Sequence, residues 1–329
     1  MTIGVASSLR LVVCVMIACG VPTPSLFARD AYPARPIRML VPFPAGGAAD
    51  LAARTIGERF TAQMHQPVVI DNRPGAGGRL AAEMLAKAEP DGYTLFAAVS
   101  GAITISPSLY QKLPYDPARD LQPITRLAEI INVMVAHPST DAANVREFIN
   151  WAKGRSKDVR FGSSGVGQPD HLSGELFARL TGLRMTHVPY KGGGPALIDL
   201  ISGDLQVMFP TYIVAMPHVK AGRLRVFAVT TPKRQPLLPD LPTVGETVPG
   251  FDVSNWTGLF APAKTPGSVT STLLSAVKKA TADPEARKRM HGGGLEPGAS
   301  ASTEEFEKFL RNETARWAKI IKEADIRVE

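Results

Sequence analysis

Arg38-Met39-Leu40-Val41-Pro42-Phe43-Pro44-Ala45-Gly46-Gly47-Ala48-Ala49-Asp50-Leu51 reads as an apolar strand halted by two prolines, a Gly-Gly turn, and a helix carrying Asp50 in its first turn. Without a Cβ, Gly46 and Gly47 let a ligand approach the main chain closely and adopt dihedrals that other residues resist. A helix that starts just after them leaves unpaired N–H groups and the positive end of its dipole at the strand end. That arrangement binds anions. An ordinary βα turn has the same spelling, so the rest of the chain must decide.

Working outward, the pattern predicts a strand over 37–41, a helix over 48–64, a strand over 68–71, a glycine-rich turn over 72–78, a helix over 79–88 and a strand over 93–99. This is βαβαβ with short connections, the mark of a parallel sheet. Pro107, Pro114, Pro117 and Pro123 then punctuate a long connection that ends in an apolar run, 130–136. Alternation resumes with helix 145–153, strand 159–162, helix 171–180, strand 185–189, helix 195–202, strand 206–209, helix 213–221 and strand 224–230. A proline-rich segment, 232–249, leads to strand 256–261 and three helices over 266–281, 284–290 and 303–324. Two βα sets joined by two connections predict an α/β protein of two lobes with a cleft at the carboxyl ends of their strands. The C-terminal portion either forms a third unit or returns to the first lobe.

Composition bounds the function. Aromatic residues make up 7% of the 329 and the basic residues are dispersed, which argues against a nucleic-acid partner. The net charge of +7 favours encounter with anions, although most single Lys and Arg side chains are expected on a solvated surface. Residues 1–28 read as a secretory signal: Arg10, a short apolar run over 11–20, then Pro22, Pro24 and Ser25 before Ala28. Leu26 is a poor −3 residue, and Cys19 offers a second reading as an acylated lipoprotein cysteine. Both cysteines, Cys14 and Cys19, lie in this leader, so the expected mature chain has no thiol chemistry.

Further loops end strands with small or polar residues: Ser100-Gly101, Gly162-Ser163-Ser164-Gly165-Val166-Gly167 before Asp170-His171, and Tyr190-Lys191-Gly192-Gly193-Gly194. Hydroxyls and N–H groups are the donors a carboxylate needs. Three or four bonds of roughly 1.5–3 kcal/mol each reach the roughly 8 kcal/mol of a micromolar complex. Enzyme readings fare worse. Val166 occupies the second glycine position of a nucleophile elbow, and Ser163 or Ser164 with adjacent Asp170 and His171 shows no oriented base. His171 and Glu175 share a helical face, but no third metal ligand has matching spacing, so no metal is expected. No Walker or dinucleotide fingerprint occurs, and no cofactor is expected. Asp50 reads either as a helix N-terminal carboxylate or as a ligand contact, and Phe43 as a cleft wall.

Several motifs, in order, resemble one family: Tyr32-Pro33-Ala34-Arg35-Pro36-Ile37; Val41 to Gly47 with Asp50; Asp71-Asn72-Arg73-Pro74-Gly75-Ala76-Gly77-Gly78; Pro90-Asp91-Gly92-Tyr93-Thr94-Leu95; Lys112-Leu113-Pro114-Tyr115-Asp116; His187-Val188-Pro189-Tyr190-Lys191-Gly192; and Leu241-Pro242-Thr243-Val244. Together they are similar to the solute-binding receptors of tripartite tricarboxylate transporters, the Bug-type periplasmic proteins. The likeness runs from about Tyr32 to the final helix.

This resemblance implies a type II periplasmic-binding-protein fold, two α/β lobes joined by crossover strands. Lobe 1 would comprise 31–129 and 229–329 and lobe 2 130–228, with the return near 224–230. It implies a non-catalytic periplasmic receptor, a monomer, that captures a small organic carboxylate and delivers it to membrane permease subunits. A sensor signalling to a membrane histidine kinase is the alternative, and a serine hydrolase the most distant one. The implied ligand residues are Phe43, Ala45, Gly46, Gly47, Asp50, Ser100, Ser163, Ser164 and Gly165, with His171 and Tyr190 nearby. Three departures bear on the ligand: the turn reads Pro-Ala-Gly-Gly; Val166 to Asp170 replaces a run rich in Asn, Ser and Thr; and Phe209-Pro210-Thr211-Tyr212 lacks the Asp that commonly follows the Phe. Asp170 partly restores a carboxylate, and Thr211 and Tyr212 join the candidate site, Tyr212 as a wall for a larger acid.

Overall fold

In the computed structural model, which describes residues 32–323 and 326, the opening stretch forms strand β1 (Ile37–Val41) and helix Ala48–Met64. The remaining strands are β2 (Val68–Asn72), β3 (Thr94–Val99), β4 (Leu121–Ile130), β5 (Val133–Ala136), β6 (Val159–Ser163), β7 (Met185–Pro189), β8 (Val207–Met208), β9 (Arg225–Val229), β10 (Asn255–Pro262) and β11 (Leu295–Pro297). They make two sheets, in the orders β11-β4-β10-β3-β1-β2 and β7-β6-β8-β5-β9.

The first sheet is parallel at its β2, β1 and β3 end, and β10 runs antiparallel between β3 and β4. Strand side chains alternate between faces. Ile37, Met39 and Val41, with Leu95, Ala97 and Val99, pack against Ala49, Ala53, Ile56 and Phe60 of helix Ala48–Met64. Leu40, Phe96 and Ala98 point the other way, onto Ala81, Ala82 and Leu85 of helix Arg79–Ala86. Both faces are covered, so β1 is apolar from Met39 to Val41, and Arg38 near its start is paired with Asp71 of β2. The second sheet is built likewise, with β6 parallel to β7 and β8, and β5 antiparallel to β8 and β9.

The Pro-punctuated connection conceals β4, a strand of ten residues. Pro123 lies where the β4–β10 register shifts, a position that tolerates a missing N–H. The apolar run over 130–136 is divided: Ile130 ends β4 in the first sheet, Val133 opens β5 in the second, and Ile131-Asn132 crosses between them. Residues 224–230 hold β9, an edge strand of the second sheet. The segment after it stays with that lobe because Val244, Val248, Phe251 and Val253 bury in the core around Phe161, Phe177 and Phe209. The chain re-enters the first sheet with β10, about 25 residues beyond the expected return. The C-terminal helix Thr303–Glu323 belongs to both lobes: Phe306 packs against Phe96, Trp256 and Phe260, whereas Trp317 and Ile321 join the second core. The leader expected over 1–28, with Cys14 and Cys19, lies outside the described residues.

Gly174 offers a test of this packing. A Cβ there would lie 2.0 Å from Cε2 of Phe161, whose ring is fully buried and stacked on His187. Exposed helical Gly→Ala changes gain about 1 kcal/mol, but overpacking costs about 1–3 kcal/mol. Gly174→Ala is therefore expected to lower the urea midpoint, and a raised midpoint would contradict the packing described.

Candidate functional site

Four helices begin at the wall of one cavity of about 200 Å³ between the lobes. Helix Ala48–Met64 starts after Gly47, Pro169–Thr181 after Gln168, Gly193–Ser202 after Gly192 and Tyr212–Lys220 after Thr211; in none does the N-cap side chain accept from the first turn. The N-terminal N–H groups of a helix have no intrahelical acceptor. Two of the four contribute little: in helix Pro169–Thr181 Pro169 has no N–H and that of His171 is taken by the Asp170 carboxyl, and in helix Tyr212–Lys220 the Tyr212 N–H donates to the Ile131 carbonyl and that of Val214 to Thr211.

The Gly46-Gly47 turn is held from behind. Gly46, at φ +89°, donates its N–H to Asp50 Oδ2 at 3.0 Å; Arg54 Nε donates to the same oxygen and Asn72 Nδ2 to Oδ1, both at 2.9 Å. Asn72 also donates to the Phe43 carbonyl. Burial opposes ionisation of Asp50, but the bonds from Arg54, Gly46 and Asn72 outweigh it and hold the carboxyl below its ordinary range. Asp50 thus does not border the cavity, and the Gly46 N–H is spent on it. A Cβ at Gly46 would meet nothing within 4 Å.

Of the candidate residues, Phe43, Ala45, Gly46, Gly47, Ser164, Asp170 and Thr211 line this cavity. Phe43, Ser164, Gly165, His171 and Tyr190 line a wider adjoining hollow. Asp50, Ser100, Ser163 and Tyr212 line neither. Ser100 Oγ donates to Asn255 Oδ1, and the Tyr212 ring packs against Gly294, away from the cleft. The Tyr190 hydroxyl donates to Asp199; burial first, then Asp199, push its pKa up to about 12.

The serine loop holds a hydrogen-bonded stack. His171 and His187 lie ring on ring at 4.0 Å, and Ser163 Oγ is 2.6 Å from His187 Nε2. Burial and the neighbouring His171 push His187 down to about 3. Among the described residues no carboxylate hydrogen-bonds His187, and Asp170 binds Ser164 instead, so no triad forms. His187, twelve residues beyond Glu175, supplies the third potential ligand that spacing did not reveal beside His171 and Glu175. However, His171 Nδ1 accepts from the Gly167 N–H, which leaves its proton on Nε2 facing Glu175 at 3.5 Å. A protonated Nε2 is not a metal donor.

With this geometry in place, the comparisons are specific. The family model described as "Tripartite tricarboxylate transporter family receptor" (TctC) matches residues 52–326. The chain belongs to this family. Protein BugT of Bordetella pertussis is 32% identical over 91% of this chain and 92% of its own length. The solved structure of R. palustris Rpa4515 with adipate is 35% identical, with a TM-score of 0.86 over 90% of this chain and 99% of that one. MatC from Rhodopseudomonas palustris with bound malate is 31% identical, with a TM-score of 0.82 over 88% and 100%. The receptor therefore has the two-lobed periplasmic-binding-protein fold. No helix among its described residues is long and apolar enough to cross a membrane.

Three polar residues of the receptor's site went unnamed in the candidate set. Asn132 and Asn255 line the cavity, and Asn255 Nδ2 donates to Asn132 Oδ1 at 3.0 Å. Asn132 carried a signal, an amide interrupting the apolar run Ile131-Asn132-Val133, whereas Asn255 follows Ser254 and carried none. Gln168 crosses the cleft: its Nε2 donates to the Gly77 carbonyl at 2.7 Å and its amide packs on Gly101. Gln168→Ala removes this contact, worth about 1 kcal/mol. The closed-to-open ratio should fall about fivefold, read as a larger radius of gyration in solution scattering; an unchanged radius would show that the contact does not hold the lobes.

Asp170 is 4% exposed and accepts from the Ser164 N–H at 2.6 Å and Ser164 Oγ at 3.0 Å. Burial outweighs these bonds and raises its pKa. The folded state then holds the proton more tightly than the unfolded one, so this stabilisation is complete below about pH 4 and is lost as pH rises through the folded pKa. Asp170→Asn can keep both Ser164 contacts without the charge. Its melting temperature relative to wild type is expected to rise from about pH 4 to about pH 7; a constant difference would mean Asp170 titrates normally.

Proposed function

We propose that this chain is an exported periplasmic receptor that captures a small organic carboxylate between its lobes and delivers it to the membrane subunits of a tripartite transporter. The observation carrying this reading is the meeting of four helix starts, without N-cap side-chain partners, at one cavity. A carboxylate supplies acceptors for such N–H groups, and three charge-assisted bonds of about 1.5–3 kcal/mol each account for micromolar affinity. The cavity, of about 200 Å³, has room for a small acid. Asp170 weighs less against an anion than an exposed carboxylate would, because burial pushes its pKa up toward the uncharged form. Adipate and malate in the two related structures support the same ligand class. Among the described residues the Ser163–His187 pair has no orienting acid, which favours capture without turnover.

A thermal-shift series over mono-, di- and tricarboxylates tests the reading. The true ligand is expected to stabilise the protein by about 2.7 kcal/mol at a hundredfold excess over its Kd. No shift with any carboxylate, or consumption of the ligand on incubation, would overturn it.

A further inference from the structure

Four strands end the two sheets, and three of them are guarded against a further strand. Strand β11 has three residues and ends on Pro297. Strand β9 is covered at Val229, which pairs with Thr243 and donates its N–H to the Pro242 carbonyl. In β7 the residues that alternate away from β6 include Pro189, which has no N–H to offer. Strand β2 is different. Ile37 donates its N–H to the Pro67 carbonyl and Arg73 donates to that of Val41, so the parallel ladder turns the main-chain groups of Val69 and Asp71 toward β1. The Val68 carbonyl, both main-chain groups of Ile70 and the Asn72 N–H therefore face outward, without a hydrogen-bond partner among the described residues. On that side only the Val68 N–H is taken, by Thr61 Oγ1 at 3.2 Å.

The surface beside this edge carries an apolar patch and a surplus of positive charge. A hollow of about 420 Å³ runs over β1 and β2, lined by Pro36, Arg38, Val69, Asp71 and Arg73 among others. Val69 is 54% exposed. Asp71 accepts from Arg38 Nε at 2.7 Å and lies 2.8 Å from Arg73 Nε, so two guanidiniums share one carboxylate. Arg38 Nη1 and both terminal nitrogens of Arg73 have no partner among the described residues. Val69, Asp71 and Arg73 alternate onto one face. An added strand, running either way, would lay an apolar side chain on Val69 and, four residues along, an acidic one on Arg73. We propose that the outer edge of β2 is a docking site for an extended acidic segment of a partner protein, which joins the six-stranded sheet as a seventh strand and sets a carboxylate on Arg73. Main-chain bonds to Ile70 and Asn72 hold such a segment, and Val69 and Arg73 select it. None of these residues lines the cavity or the hollow between the lobes, so docking leaves the solute site free.

The probe is a synthetic peptide in which threonine alternates with the series glutamate, valine, valine, glutamate; a control peptide carries lysine in place of glutamate. The glutamate peptide is expected to bind about tenfold more tightly than the control in calorimetry. It should slow amide exchange at Ile70 and Asn72, whose N–H groups are free, and change little at Val69 and Asp71, which already pair with β1. Arg73→Gln should weaken the glutamate peptide about tenfold, and Val69→Lys, a charge on the open edge, should abolish its binding. Melting temperatures identify a variant that fails to fold, and the other variant then carries the test. Equal affinity for the two peptides, no binding of either, protection away from 70 and 72, or indifference to both substitutions would overturn the proposal. A concentration-dependent dimer in sedimentation that Val69→Lys dissolves would overturn it too, by giving the edge to a second copy of this chain.

Discussion

Hydrogen-bonding demand at the helix starts organises this molecule. Each helix presents N–H groups that its own carbonyls cannot reach, and at the cleft the chain does not spend N-cap side chains on them. Several other helices are capped, by Asp116, Asn144, Thr243 and Asp283, although Gly78 and Pro266 also open helices without a side-chain cap. At the cleft the absence follows glycine and proline usage, with Gly47 and Gly192 at two of the starts and Pro169 just inside a third. Small residues there keep the N–H groups accessible while the strands behind them fix their directions.

The rest of the cleft supplies rigidity. Ser100, Asn255 and Asn132 form a buried chain of hydrogen bonds that ends on the Phe209 carbonyl. It links the end of β3, the start of β10, the first crossover and the second lobe. Beside it, Thr230 donates its N–H to the Asn132 carbonyl and its hydroxyl to that of Val253, so all crossing segments are joined at one level. The two carboxyls at the cleft are tuned oppositely for a common end: Asp50 is kept ionised to brace the first turn, whereas Asp170 is driven toward its neutral form beside the cavity.

Much of this was legible in the chain. Every strand with a buried, uninterrupted apolar run was readable, and β1, β7 and helix Ala48–Met64 fall where spacing put them. Strand β4 was not readable, because Pro123 is a breaker in sequence and becomes acceptable only beside a register shift set by β10, more than a hundred residues away. The return to the first lobe was obscured for a similar reason: the proline-rich segment after β9 buries Val244 and Phe251 against partners that local pattern does not name. Within the site, the glycine and serine loops announced themselves, but their division of labour did not. Asp50 and Ser163 carry the loops from behind, and Gln168, a polar residue among many, acquires its role only when the lobes meet.

The C-terminal helix Thr303–Glu323 is rooted in both cores, through Phe306 at one end and Trp317 with Ile321 at the other. A continuous helix is stiff, and close-packed anchors give little. The lobes consequently share a spine as well as their crossings, and freedom is left mainly for swinging about that spine, like the covers of a book, with sliding apart resisted.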